Sequence, residues 1–197
     1  MLTILGHTDI ASSGTNSITV PAETQLVLAL AGGWSTPASP TFNGVAMTEI
    51  TAAAASVTGD NNTARTKIFT GVFSPGTYTV VSTQVVCFVF LRLVASTTPT
   101  DTDTSGTSKS TSQSKTLTTS ADKDMVFVVG YCESNVTTNI TSSGTTIFKS
   151  GVKYISAYVA ADASSEALSV TGSDSWVCGS WVTISGLTGG QVIIWSE

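Results

Sequence analysis

Charge is scarce in this chain. Of its 197 residues 11% are charged, 13 acidic against 8 basic, for a formal net charge of -5 and a pI near 4.7. Ordinary globular domains carry about a quarter charged residues. The deficit of Lys and Arg excludes a basic nucleic-acid-binding face. Long apolar runs are missing as well. The longest, LVLALAGG from Leu26 and VVCFVFL from Val85, fall far short of the roughly 18 residues of a membrane-spanning helix, so no membrane partner is expected. The opening MLTILGHTDIASSG lacks the basic start and extended apolar stretch of a secretory signal. Three cysteines, Cys87, Cys132 and Cys178, cannot all pair within one chain and lack metal-ligand spacing. Reduced thiols in a cytoplasm are the expectation.

What replaces charge is hydroxyl. Ser and Thr together number 62, nearly a third of the chain and far above usual usage. With 41% hydrophobic residues and a mean hydropathy of +0.28, the chain is neither a charged disordered tail nor a coiled coil. Its length is enough to bury a substantial core.

Apolar residues alternate or form short β-branched runs bounded by Gly, Pro, Asn and Ser, the pattern of strands in an all-β sandwich. The first half offers strands starting near Ser17, Thr24, Gly44, Arg65, Thr77 and Gln84, with Pro75-Gly76 at a tight turn. The helix-forming stretch TAAAASVTGD at Thr51 is short and stands alone.

An internal repeat emerges. SITVPAETQLVLALAG at Ser17 aligns with TLTTSADKDMVFVVGY at Thr116, and KIFTGVFSPGTYTVVS at Lys67 with KYISAYVAADASSEALSV at Lys153. VVCFVFLRL at Val85 aligns with WVCGSWVTI at Trp176, which sets Cys87 on Cys178. The predicted architecture is therefore one β-sandwich domain spanning 1–197, jelly-roll-like, with half-repeats at about 15–95 and 114–197. A solvated Thr/Ser-rich loop, 96–113, joins them. In the Val85 strand both faces are apolar, so both must be covered.

Catalytic chemistry finds few candidates. The single histidine, His7, reads as a surface polar residue, and no GxSxG elbow accompanies the many serines. Cys87 and Cys178, in apolar strands, read as core residues. Cys132, at a strand end in GYCESN, is expected to be the more exposed thiol. The carboxylate pairs Asp101/Asp103 and Asp122/Asp124 fall in single turns rather than across a cleft. The first pair offers oxygen ligands to calcium but lacks the rest of an EF-hand loop. No enzyme activity, metal or cofactor is expected. Glycan binding rests on aromatics: Trp34 in the GGWSTP loop is the best exposed one, among Tyr131, Tyr154, Tyr158, Trp176, Trp181 and Trp195. Trp176 and Trp181, five apart, point to opposite faces of a strand. The sequons at Asn61, Asn135 and Asn139 bear only on a glycosylating secretory route.

Three elements together resemble a β-sandwich module of tailed-phage virion and bacterial-surface proteins. They are the Val20-Pro21 entry to an apolar strand, the segment Asn43-Gly44-Val45-Ala46-Met47-Thr48 and the Pro75-Gly76-Thr77 turn. The likeness continues into the second half at TLTTSADKDMVFVV, although SGTTIF at Ser143 stands where a second NGVAMT would be. The resemblance implies a virion structural protein: a capsid decoration, fibre or tail-associated subunit. It further implies assembly in the host cytoplasm, with other virion proteins and copies of itself as partners, a trimer being one compatible symmetry. The alternative is a lectin-like module meeting surface glycans through Trp34.

Overall fold

The computed structural model describes residues 1–58, 62–105, 110–133, 139–151, 153–173 and 176–187. Among these every regular element is a strand apart from one 3-10 turn, Thr51–Ala53, in the alanine-rich stretch. All strand pairs are antiparallel, as short strands joined by tight turns require.

Four sheets form. The first has the order β1 (Thr3–Ile10), β10 (Val85–Arg92), β3 (Leu26–Gly33), β8 (Thr63–Gly71) and β6 (Thr48–Glu49), with β7 (Ala55–Thr58) also on β8. The second runs β2 (Gly14–Val20), β9 (Gly76–Ser82), β4 (Thr41–Phe42) and β5 (Val45–Ala46). The third runs β11 (Asp101–Ser105), β18 (Val177–Ile184), β13 (Met125–Cys132), β16 (Tyr154–Ala160) and β15 (Thr145–Ser150). The fourth is β12 (Ser112–Thr118), β17 (Ser165–Gly172) and β14 (Ile140–Ser142).

Side-chain alternation decides how the sheets stack. Along β3, Val27, Ala29 and Ala31 join Ile18, Val20, Phe42 and Val80 in a core between the first and second sheets. The intervening Leu26, Leu28 and Leu30 face the other way, into a core shared with Met125, Phe127 and Val129 of the third sheet. On β13 the pattern repeats. Val126 and Val128 turn from that central core toward Leu117, Ile140, Leu168 and Val170 of the fourth sheet. The layers therefore run second, first, third, fourth, with three apolar seams. Each seam is closed by side chains worth about 1.5–3 kcal/mol apiece when fully buried.

This departs from a single two-layered sandwich. The doubly apolar strands do have both faces covered, but by two different neighbouring sheets. The central seam holds the largest cluster of buried side chains among the described residues, unlike the polar, modest contact usual between tandem domains. Gly32 sets part of its spacing: a Cβ there would lie 3.0 Å from Tyr131 and 3.1 Å from Tyr154, so any larger residue would require those rings to shift by a few tenths of an ångström.

The segment 96–113 is also not simply a loop. Asp101–Ser105 pairs along its length with Gly179–Thr183, and β12 begins at Ser112. Its alternation is invisible in hydropathy because all five residues of β11 are polar and half-buried.

Candidate functional site

Trp34 follows β3 at one end of the central seam. It is half-buried and packs against the central core. The Lys153 ammonium sits over its ring, 3.9 Å from the centroid, a cation–π contact. Desolvation there lowers the Lys153 ammonium below the ordinary lysine value, while neighbouring Cys132 opposes that shift. Arg65 Nη1 donates to the Trp34 carbonyl at 2.6 Å. The indole Nε1 is buried without a hydrogen-bond partner. Beside this loop lies a depression of about 190 Å³ bordered by Thr36, Ser56, Arg65 and Lys67; Lys67 is held by Glu49 at 2.9 Å. That is below the usual volume of a small-molecule pocket.

The remaining candidates scatter. His7 is exposed on β1. Tyr131 and Tyr154 are buried, and the Tyr154 hydroxyl donates to the Leu30 carbonyl across the central seam at 2.6 Å. Trp181 is fully buried in the third-to-fourth-sheet core, its Nε1 donating to Leu168 O at 2.8 Å, whereas Trp176 packs on the central core. The two indoles lie on opposite sides, as their spacing requires. Tyr158 lies near Phe127, with ring centroids 6.1 Å apart. Trp195 and the sequon residues Asn61 and Asn135 lie outside the described residues. Asn139 is exposed and accepts a hydrogen bond from Lys149.

The carboxylates are structural in their contacts. Asp101 Oδ1 and Asp103 Oδ1 accept the backbone N–H groups of Thr102 (2.8 Å) and Thr104 (2.6 Å). Asp101 Oδ2 takes the N–H of Thr118 at 2.7 Å, and Asp103 pairs with Lys115 at 2.9 Å. Both therefore fasten β11 to β12 rather than sitting together in a solvated turn. Asp122 holds a left-handed turn position, with φ 63°. Asp124 is buried, with Oδ2 accepting Ser120 N at 2.7 Å and Oδ1 unpartnered. Among the described residues no three His, Cys, Asp or Glu side chains converge to hold a metal.

One expectation is corrected outright. Cys132 is as buried as Cys87 and Cys178, because the fourth sheet covers the strand end that the polar GYCESN context suggested was open. Burial pushes all three thiols up to about 12, which leaves them inert near neutrality. Comparison with known proteins finds no matching family model, curated protein or solved structure.

Two features escaped the sequence reading. Glu133 is buried, its N–H bonded to Trp176 O at 3.1 Å and its Oε2 unpartnered; no apolar neighbour pattern marks it. The second feature lies on the outer sheets. On β2 and β9, exposed Thr15, Ser17 and Thr19 stand opposite Val81, Thr79 and Thr77. On β12 and β17, Ser112, Ser114, Thr116 and Thr118 stand opposite Thr171, Ser169, Ala167 and Ser165. Hydroxyls meet across the strands at 3.1 Å (Thr19 with Thr77) and 3.0 Å (Ser112 with Thr171). None of these outward positions is charged. The signal was the Ser/Thr excess, but only pairing shows that it gathers on two faces.

Proposed function

We propose that the protein is a non-catalytic structural subunit of an assembled particle. On the resemblance of its motifs, that particle is a tailed-phage virion, in which it serves as capsid decoration, fibre or tail-associated subunit. Its partners in this reading are other virion proteins and its own copies, and it assembles in the host cytoplasm. The observation that carries the reading is the pair of charge-free, hydroxyl-rich faces on the two outer layers of the four-layer body. Neighbours pack against such faces without desolvating ions, which is the costly step in burying charged surface. The body itself is proposed to be a jelly-roll-like β-sandwich built from two related halves. In support, the order β1-β10-β3-β8 recurs as β11-β18-β13-β16, and β2-β9-β4 recurs as β12-β17-β14.

Sedimentation with purified particles tests the function. The protein should co-sediment and stay bound at high salt, because few charges are available for the contact. Absence from particles, or release at moderate ionic strength, would count against it. A second reading, glycan adhesion, is favoured by the half-exposed Trp34 beside the Thr36–Arg65 depression. Glycan-array binding abolished by Trp34→Ala, with the fold retained, would support that reading instead.

A further inference from the structure

The strands β1 and β11 hold the same place, each at the sheet edge beside the last strand of its half, yet their outer sides differ. On β11 the edge is closed by its own carboxylates. Asp101 and Asp103 cap the N–H groups of Thr102 and Thr104, and both also bind β12. Side-chain caps of this kind withdraw an edge from pairing. On β1 no such cap exists among the described residues, and β10 is its one ladder partner. Ile4 and Leu5 add apolar surface there. Each is only half-buried, Ile4 at the margin of the central core and Leu5 at the margin of the core under the second sheet. They flank the straight stretch Gly6–Ile10, whose outer side is the open part of the edge.

We propose that this edge pairs with β1 of a second copy, antiparallel about a two-fold axis at Thr8. A two-fold contact presents the same strand from both sides, and three observations select this occupant and register. The ladder to β10 is irregular between Ile4 and Gly6 but unbroken from Gly6 to Ile10, and that straight stretch has Thr8 at its middle. Pairing about Thr8 sets His7 opposite Asp9 of the second copy, twice. Both side chains are exposed, and opposed residues share a face with Cβ atoms about 5 Å apart, so an imidazole N–H meets a carboxylate in each pair. The opposite edge of the third sheet, β15, is less suited. Its ladder shifts register between Thr146 and Phe148, in the middle of the strand, and it carries Lys149. The result is one sheet continuous through two chains.

This inference specifies the self-association included in the proposed function, but it is read on the isolated protein, so particle binding and edge pairing can fail separately. Light scattering on the eluting protein should give twice the chain mass. Asp9→Lys puts a cation against His7 and should weaken the dimer by roughly tenfold or more. The double variant His7→Asp/Asp9→His exchanges the pair and should restore it. Thr8→Cys should form an interchain disulfide readily under mild oxidant, since directly opposed strand positions match disulfide Cβ spacing and the native thiols are buried. A monomeric wild-type protein, a mass unmoved by Asp9→Lys, or no crosslink at Thr8→Cys would each overturn the pairing. All three positions lie on one exposed edge strand, so circular dichroism matching the wild type accompanies each measurement.

Discussion

Thr66 on β8 and Ser180 on β18 put a hydroxyl pair in the middle of the apolar central seam. Both residues are fully buried, and their oxygens are 2.8 Å apart. Thr66→Val removes one hydroxyl and strands Ser180 among apolar neighbours, at a cost of about 1–3 kcal/mol for an unsatisfied buried group. Ser180→Ala strands Thr66 in turn. The Cys178 thiol lies within hydrogen-bond reach of Thr66, so this loss should be near the lower end, about 1 kcal/mol. With both hydroxyls gone nothing is left unpaired, and the double variant should lose less than the two singles summed, with a coupling of about 1–2 kcal/mol. Urea unfolding at constant m-value measures each corner of the cycle. For a chain of this size each kcal/mol also moves Tm by about 2–4 °C. Additivity within about 0.5 kcal/mol would refute the contact. Two resolved unfolding transitions would refute the argument more broadly, because an apolar seam this large should make the sheets unfold together.

Native-state labelling with a thiol reagent should modify none of Cys87, Cys132 and Cys178, and all three on unfolding; rapid reaction at Cys132 would contradict its burial. The same thiols predict alkaline lability. Folded, they hold their protons up to about 12, whereas in the unfolded chain they ionise near the ordinary thiol value of 9.0. Stability should thus be complete below about pH 9 and fall as pH rises toward 12, by up to about 1.4 kcal/mol per pH unit for each thiol. Tyr131 and Tyr154, raised by burial, add in the same direction, and a flat urea midpoint across this range would refute it. Gly144→Ala should destabilise by about 1–3 kcal/mol through overpacking, because a Cβ there would lie 2.5 Å from the Tyr158 carbonyl and 2.6 Å from Leu168; an unchanged urea midpoint would show that the turn relaxes.

The legible part of this protein was the part written in hydropathy. Apolar residues on both faces along Val85–Arg92 mark a strand covered on both sides, and it is. The opposed directions of Trp176 and Trp181 followed from spacing alone. The strand Asp101–Ser105 was not legible. It carries no apolar residue, and what makes it a strand is the waiting edge of β18 and the Asp side chains that tie it to β12. Trp34 reads from its Gly/Ser/Pro loop as the best exposed aromatic; the structure has it half-buried against the central core, and nothing local showed that a lysine from a distant turn covers its ring.

Local sequence thus determined that the chain is all-β, that its central strands are buried on both sides, and that hydroxyls rather than charges wet its surface. These properties depend on neighbours two residues apart, which the two-residue strand repeat makes readable. Tertiary structure alone decided which sheet covers each face, that Cys132 is sealed, that 101–105 joins a ladder, and that the edge at β1 stays open where that at β11 is closed. Those outcomes depend on partners far along the chain, about 80 residues away for Asp103 against Trp181 or His7 against Val89. An apolar face specifies that it must be covered, but burial is non-directional and does not specify by what.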